Sequence, residues 1–195
     1  MSEPSPWQET GEREILFTSP FGRKIERRSF QMPSGERADF DLKKEGRAGA
    51  VLALTPEKEV VVIRQFRPGP GRVLWDFPGG GIGKEETPEE GVRRELREET
   101  GFDGDFRLAG RLFPCAYSTG EKFAFLATDC RRVAEPSSAE KEERGREILT
   151  VPFARAEEIL RSGEFTAAEI FLAFELARQE ERVGEIFQKE KNEPH

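Results

Sequence analysis

The sequence predicts an α/β protein that carries an antiparallel β meander at its N-terminal end. Before residue 46, apolar and polar residues alternate between clear turn signals, which is typical of a strand meander. Between residues 49 and 67, two continuous apolar runs indicate strands that are buried on both faces. Segments with helical periodicity and N-terminal capping signals follow them, so strands and helices share one chain of 195 residues.

The predicted strands begin in the meander and continue past it. The meander turns at Pro20–Gly22 and at Pro33–Gly35, and the two apolar runs flank a turn at Pro56–Lys58. Because these runs are rich in β-branched residues and do not alternate, we expect them in the centre of a sheet. Three further strands are predicted from the segments RLAGRLFPCA, KFAFLATDC and ILTVPF.

The clearest helix is predicted to begin at Pro88. Thr87 and Glu90 form a capping box around this start, and Gly101 supplies the stop signal. Two more helices are predicted, one over residues 154–163 and one after a second capping box at Thr166 and Glu169. The predicted parts of the chain are a flexible leader (1–12), the meander (13–46), a main domain (47–188) and a frayed tail (189–195).

Composition limits the function classes that this chain can serve. The formal net charge of −7 and the pI near 5.1 argue against a broad surface for nucleic acid or anionic membrane. The sequence has no apolar run of the roughly 20 residues that span a bilayer, and its start lacks a targeting signal, so we expect a cytoplasmic protein. Cys115 and Cys130 are too few and too far apart for a zinc site, and both are expected to be buried thiols. The single histidine, His195, nearly eliminates imidazole chemistry.

Three glutamates form a stripe on the helix that begins at Pro88. At about 100° per residue, Glu95, Glu98 and Glu99 share one side, and Gly91 leaves a gap one turn earlier. Each like-charge neighbour costs about 0.2–0.5 kcal/mol, and a carboxylate near the C-terminal end of a helix costs about 0.3–1 kcal/mol more. A divalent cation such as Mg²⁺ or Mn²⁺ would relieve this repulsion. The alternative is an ordinary solvated helix face.

The glutamate stripe lies inside a longer motif. From Gly80 through Phe102, the sequence matches every fixed position of the Nudix box, G-x5-E-x7-R-E-U-x-E-E-x-G-U, where U is aliphatic or aromatic. The chain therefore resembles the Nudix hydrolases, which cleave a nucleoside diphosphate linked to another moiety. The resemblance implies an α/β/α sandwich with a mixed central sheet, in which the box forms a loop–helix–loop that holds divalent metal.

The resemblance also implies residue roles. The implied metal ligands are Glu95, Glu98, Glu99 and the carbonyl of Gly79, with Mg²⁺ expected and Mn²⁺ as the alternative. Residues with an implied structural role are Gly80, Glu86, Arg94 and Gly101. We expect Glu86 to pair with Arg94 and to fix the loop against the helix, whereas Glu98 counts among the catalytic residues.

A water nucleophile also needs a proton acceptor. In the ADP-ribose branch of the family this base comes from a mobile loop late in the domain, and the matching segment here is AEKEERGRE (139–147). We expect Glu143 to be the base, with Glu142, Glu140 and Glu147 as competitors. The alternative for each of them is a solvated loop charge.

Resemblance beyond the box points to the ADP-ribose and nucleotide-sugar pyrophosphatase branch. It rests on the meander, on the lead-in VVVIRQFRPGPGRVLWDFPGGG and on GEFTAAEIFLAFELA near the end. In this branch the N-terminal strands form a small domain that is exchanged across a homodimer. Arg64 and Arg67 are candidates to pair with substrate phosphate, because guanidinium offers bidentate geometry. Surface solvation is their alternative.

Two departures from the branch bear on the substrate. The branch commonly has ELPAG where this chain has DFPGG (76–80), and Tyr117 replaces a proline that ADP-ribose enzymes usually carry after the box. A tyrosine slightly farther downstream is typical of diadenosine polyphosphate hydrolases, and the ring of Tyr117 could stack on a base or simply pack. We expect hydrolysis of ADP-ribose or a related nucleoside diphosphate sugar to a nucleoside monophosphate and a sugar phosphate. The alternatives are dinucleoside polyphosphate hydrolysis and a non-catalytic nucleotide-binding module.

Overall fold

The computed structural model describes residues 7–137 and 145–180, which divide into two units. The first unit holds residues 7–46 and Phe113–Glu121. The second unit holds Arg47–Leu112 together with residues 122–137 and 145–180. The division after Gly46 coincides with the predicted end of the meander, and the predicted tail lies outside the described residues.

The first unit contains an antiparallel sheet in the order β1-β2-β3. The bounds of its strands are β1 Gln8–Thr18, β2 Lys24–Gln31 and β3 Arg37–Lys44. The turns between them fall where the proline and glycine signals predict. The predicted leader is wrong beyond residue 7, because β1 begins at Gln8. Nearly every β1 residue is exposed, so the start of the strand lacks the alternation of apolar and polar residues from which a strand is predicted. A register shift also follows Thr10.

The segment Phe113–Glu121 also departs from the prediction. The sequence places it in the main domain, whereas the structure places it in the first unit. Lys43 holds it there: the Lys43 N–H donates to the carbonyl of Tyr117 at 2.8 Å, and the Lys43 carbonyl accepts from the N–H of Thr119 at 3.0 Å. These are backbone contacts between distant parts of the chain, and composition does not encode them.

The second unit combines two sheets with three helices in the described residues. Its strands are β4 Arg47–Ala53, β5 Glu59–Arg67, β6 Arg72–Asp76, β7 Gly79–Gly81, β8 Phe102–Leu112, β9 Glu121–Arg132 and β10 Glu147–Pro152, and only the first residue of β9 is assigned to the first unit. Its helices are α1 Pro88–Thr100, α2 Phe153–Ser162 and α3 at residues 170–180. The strand orders are β7-β4-β9-β8 and β10-β5-β6. Within these residues, no helix combines the length and the apolar character that crossing a membrane requires.

Apolar side chains cover both faces of the central strands. In β4, Leu52 belongs to one buried cluster and its neighbour Val51 belongs to another. Residues of α2 and α3 complete the first cluster, whereas Val92 and Leu96 of α1 complete the second. Successive strand residues face opposite sides of a sheet, so helices pack against both sides. The predicted α/β/α sandwich with a mixed central sheet and an N-terminal antiparallel sheet is confirmed.

Helix α1 begins and ends where its local signals predict. The hydroxyl of Thr87 accepts the N–H of Glu90 at 3.2 Å, and the carboxylate of Glu90 accepts the N–H of Thr87 at 2.8 Å. Gly101 follows the helix in the left-handed conformation, with φ 76°. The capping box therefore fixes where the acidic stripe of α1 starts.

Two smaller predictions are wrong. The second capping box is absent from the described residues, because α3 begins at residue 170 and the hydroxyl of Thr166 instead donates to Oδ2 of Asp76 at 2.8 Å. Glu169 forms an ion pair with Lys122 at 3.4 Å. Of the two thiols expected to be buried, Cys115 is exposed.

Replacing Thr87 with alanine tests the first capping box. We expect Thr87→Ala to lower the free energy of unfolding by about 1 kcal/mol, because the N–H of Glu90 loses its acceptor. Urea denaturation measures this loss. Glu85→Ala changes an exposed residue just before the helix and should alter the free energy by less than about 0.5 kcal/mol. Equal losses in the two variants would contradict the role of the box.

Candidate active site

The glycine strand β7 connects the sheet to the end of α1. β7 pairs antiparallel with β4, and α1 packs against both strands. The N–H of Gly79 donates to Oε2 of Glu99 at 2.8 Å, so the loop contacts the acidic stripe directly. A Cβ atom at Gly79 would lie 2.2 Å from the carbonyl oxygen of Gly49, so only glycine allows this close approach.

Glu86 and Arg94 tie the loop before α1 to the helix. Nε of Arg94 donates to Oε1 of Glu86 at 2.8 Å, and Nη2 donates to Oε2 at 3.2 Å. The same Oε2 accepts the N–H of Gly83 at 2.7 Å. The hydrogen bond from Arg94, followed by that from Gly83, lowers the pKa of Glu86 to about 2. The pairing that the motif leads us to expect is present.

Glu95 and Glu98 surround one nitrogen of Arg94. Nη1 of Arg94 lies 2.9 Å from Oε1 of Glu95 and 2.9 Å from Oε2 of Glu98. The carboxylate of Glu95 also lies against Gly80, where an added Cβ would come within 2.5 Å of Oε2 of Glu95. Gly80 therefore leaves a cradle for a carboxylate, and Glu98 beside it is half exposed to solvent.

Glu99 is the buried member of the stripe. Its Oε1 lies 2.9 Å from Nη2 of Arg146, and its Oε2 accepts the N–H of Gly79. The pKa of Glu99 is raised to about 7, mainly by burial, and the charges of Glu95 and Asp76 act in the same direction. The Gly79 N–H and Arg146 act in the opposite direction. These two donors therefore favour the ionised form of Glu99, which burial disfavours.

The raised pKa of Glu99 makes the stability of the metal-free protein depend on pH. A carboxyl group with a usual pKa of 4.5 and a folded pKa of about 7 binds its proton more tightly in the folded state. Its contribution to stability is complete below pH 4.5 and is lost as the pH rises to about 7. We expect Glu99→Gln to lack this loss. Urea unfolding with a chelator at about pH 5 and about pH 8 measures it, and equal pH dependence in both proteins would contradict the assignment.

The three glutamates are directed at arginines in this structure. Within residues 7–137 and 145–180, no three histidine, cysteine, aspartate or glutamate side chains are arranged to hold a metal ion. The three carboxylates still suit a hard cation, because they lie close together. Glu95 and Glu98 contact the same nitrogen, Nη1 of Arg94, and the charge of Glu95 acts on Glu99. The cradle at Gly80 leaves room for the carboxylate of Glu95. The assignment of these residues as metal ligands is a proposal.

The two arginines at the end of β5 have different partners. Nε of Arg67 donates to Oδ2 of the buried Asp76 at 2.9 Å, and Nη2 contacts the same oxygen. The guanidinium of Arg64 lies over the ring of Trp75, 5.1 Å from its centroid, and 3.6 Å from Glu147. Because Arg67 is bound to a buried carboxylate, Arg64 is the better candidate for a phosphate contact.

The remaining predicted residues are only partly described. Glu140, Glu142 and Glu143 lie outside the described residues, whereas Glu147 pairs with Arg64 across β10 and β5. Tyr117 is exposed and belongs to the first unit. It borders an apolar cavity of about 320 Å³, which is also lined by Trp7, Phe30, Phe40, Leu42 and Ala116.

Three residues of this region were missed by sequence reasoning. Nη2 of Arg47 donates to the carbonyls of Gly83 at 2.6 Å and Glu86 at 2.8 Å, although Arg47 lies far before the motif. Asp76 anchors Arg67, and its signal was available because the related branch has a glutamate at that position. Arg146 lies in a charged segment where nothing in the sequence distinguishes it from the other charged residues.

Comparison with known proteins identifies a family match and several related enzymes. The family model described as NUDIX domain matches residues 44–183. An ADP-ribose pyrophosphatase of Bacillus subtilis (strain 168) is 38% identical over 72 residues, which are 37% of this chain and 39% of that protein. A GDP-mannose pyrophosphatase of Salmonella typhimurium is 34% identical over 128 residues, which are 60% of this chain and 65% of that protein. The chain therefore spans less than two thirds of either relative.

A solved structure supports the fold. The crystal structure of an ADP compounds hydrolase superposes with a TM-score of 0.74 and covers 92% of this chain and 96% of its own. Its sequence identity is 20%, so the likeness concerns the fold alone. The family match extends over well more than half of the chain and includes the complete motif from Gly80 to Phe102. The chain belongs to the Nudix domain family.

Proposed function

We propose that this protein is a Nudix pyrophosphatase that uses Mg²⁺ or Mn²⁺ to hydrolyse ADP-ribose or a related nucleoside diphosphate sugar. The products would be a nucleoside monophosphate and a sugar phosphate. The observation that carries the proposal is the acidic stripe of α1 set against the glycine strand, with Glu95 in the cradle at Gly80 and Glu99 bound by Gly79. The names of the relatives, which include ADP-ribose, ADP-sugar and GDP-mannose pyrophosphatases, support this substrate class.

The proposed cation site uses side chains from α1 and one backbone group. Glu95, Glu98 and Glu99 would hold the cation together with the carbonyl of Gly79. When bound, a divalent cation lowers the pKa of water and neutralises charge on the phosphates. The ion pair between Glu86 and Arg94 holds the loop against the helix and so fixes the distance between the ligands.

A carboxylate outside the stripe would accept the proton of the attacking water. Our first choice is Glu143, followed by Glu142 and Glu140, with Glu147 as the candidate that the structure describes. Glutamine variants separate them, because loss of the base lowers kcat and removes the acidic limb of the pH–rate profile. Replacing a glutamate that is only a solvated loop charge would leave kcat and the pH–rate profile unchanged.

A hydrolysis panel with chelated and Mg²⁺-supplied protein tests the proposed function. The substrates are ADP-ribose, GDP-mannose, a diadenosine polyphosphate and nucleoside triphosphates, with products separated by chromatography. We expect Mg²⁺-dependent release of a nucleoside monophosphate from the sugar-linked substrates. Preference for the diadenosine polyphosphate would favour the second candidate, for which Tyr117 is the sequence signal. Ligand binding without product release would contradict catalysis and identify a binding module.

The proposal includes the assembly and location of the protein. We propose a homodimer formed through the first unit, in the cytoplasm, with a small-molecule substrate and without nucleic-acid or membrane partners. Exposed apolar side chains on the first unit, including Phe17 and Phe21, support an interface there. Light scattering coupled to size-exclusion chromatography measures the mass, and a monomer at micromolar concentration would contradict the dimer.

A further inference from the structure

Arg146 is a buried guanidinium paired with a buried carboxylate. Its side chain is 10% exposed, that of Glu99 is 9% exposed, and Nη2 of Arg146 lies 2.9 Å from Oε1 of Glu99. Burying two charges is costly, and only close pairing offsets the cost. An exposed arginine would need no explanation, but a buried ion pair at the proposed cation site does.

Both oxygens of Glu99 already have partners in this structure. Oε1 has Arg146 and Oε2 has the N–H of Gly79. A cation that binds Glu99 therefore shares the carboxylate with these two donors, and its positive charge opposes that of Arg146. Gly79 is fixed by the pairing of β7 with β4, whereas an arginine side chain has several rotatable bonds. Arg146 is the partner that can withdraw.

The other arginine at the stripe has a different arrangement. Arg94 contacts Glu95 and Glu98 through Nη1 only. Its Nε and Nη2 bind Glu86, and Nη2 also donates to the carbonyl of Gly81 at 2.9 Å. Arg94 can thus lose its contacts to the stripe without leaving its place in the loop.

We propose that Arg146 is a built-in counter-ion, which neutralises Glu99 in the metal-free protein and is displaced when a divalent cation binds there. The inference rests on the proposed function, because it assumes that Glu99 is a cation ligand. Arg146 is then a positioning residue that sets the affinity for the cation. Two positive charges close to one carboxylate repel each other, so the two occupants oppose each other.

Two measurable consequences follow from this antagonism. Removing Arg146 removes a competitor, so the affinity for the cation rises. Removing it also leaves Glu99 without its counter-ion in the metal-free protein, so the melting temperature falls. Because a ligand stabilises the state that it binds, saturating cation should recover most of this loss. A purely structural arginine would give the same loss with and without the cation.

The experiment compares Arg146→Met and Arg146→Lys with Arg161→Met, which removes one charge from an exposed position on α2. Mg²⁺ binding is measured by calorimetry at about pH 8.5, where free carboxylates are ionised. Melting temperatures are measured in chelator and in saturating Mg²⁺. We expect Arg146→Met to bind Mg²⁺ about tenfold more tightly, or about 1.4 kcal/mol, and to melt below the wild type in chelator only. Arg161→Met should match the wild type, and Arg146→Lys should lie between.

Other outcomes overturn the inference in distinguishable ways. If Arg146→Met binds Mg²⁺ with unchanged or weaker affinity, Arg146 does not compete with the cation. If Arg146→Met does not fold, the same comparison is made with Arg146→Lys, and wild-type affinity in that variant counts against the proposal. If the wild type binds no Mg²⁺, the proposed cation site itself is wrong. Mg²⁺ binding by the wild type with no change in either variant would leave the site intact and reject Arg146 alone.

Discussion

Glu98→Gln is expected to lower kcat for pyrophosphate hydrolysis by about 10²–10³-fold and to leave the fold intact. The substitution keeps the size of the side chain but removes a charge that the proposed site needs in order to stabilise developing charge. Glu98 is 48% exposed, so its stability cost should be small. The measurement is kcat at saturating Mg²⁺ and ADP-ribose, with the free energy of unfolding determined in urea.

Glu89→Gln is the matched control for this variant. Glu89 lies on the same helix with a similar exposure of 49%, and its partner is Arg93, 3.1 Å away. It should keep the kcat of the wild type. Near-normal turnover in Glu98→Gln, or an equal loss in Glu89→Gln, would remove the basis for assigning the stripe to the cation.

Gly101→Ala is expected to lower the free energy of unfolding by about 2–5 kcal/mol. The left-handed φ of 76° costs an alanine about 1–2 kcal/mol. An added Cβ would also lie 2.1 Å from the carbonyl oxygen of Ala134, and relieving such an overlap adds about 1–3 kcal/mol. The carbonyl of Gly101 accepts the N–H groups of Val133 and Ala134, which hold the two segments together. Urea unfolding measures the loss.

Gly163→Ala separates the two contributions. Gly163 ends α2 in the same conformation, with φ 72°, but an added Cβ there meets no atom within 4 Å. This variant should lose only the backbone cost of about 1–2 kcal/mol. Equal losses of unfolding free energy in the two variants would contradict the expected clash between the added Cβ at residue 101 and the carbonyl oxygen of Ala134.

The sequence predicts α1 well because its signals are local. Thr87, Glu90 and Gly101 act within a few residues of their own positions, and the pairing of Glu86 with Arg94 lies inside one motif. The strands β4 and β5 are equally clear, because burial on both faces imposes continuous apolar runs. Features that depend on residues close together in the chain can therefore be predicted from the sequence.

The features that sequence reasoning misses depend on distant contacts. β1 is an exposed strand, so its composition resembles that of a tail. Thr166 has a capping-box pattern, yet its hydroxyl binds Asp76. Arg146 contacts Glu99 across the fold, and no spacing rule connects the two residues. In each case the tertiary partner, rather than local propensity, decides the outcome.

The structure also changes the electrostatic argument for a cation. From the sequence, repulsion among Glu95, Glu98 and Glu99 is the reason to expect one. In the structure, Arg94 contacts the first two and Arg146 contacts the third. The arginines relieve the repulsion in the metal-free protein, so repulsion alone does not require a cation. The motif, the cradle at Gly80 and the backbone contact from Gly79 are the features that support the proposed cation site.

Direct measurement of Mn²⁺ binding tests the proposed cation site on α1 most closely. Chelated protein is titrated with Mn²⁺, and the free ion is quantified by electron paramagnetic resonance in the wild type, Glu98→Gln and Glu89→Gln. We predict that the wild type and Glu89→Gln bind Mn²⁺ with equal affinity, whereas Glu98→Gln binds at least about tenfold more weakly. Wild-type protein that leaves all Mn²⁺ free, or Glu98→Gln with unchanged affinity, would contradict the claim that the stripe on α1 is a cation site.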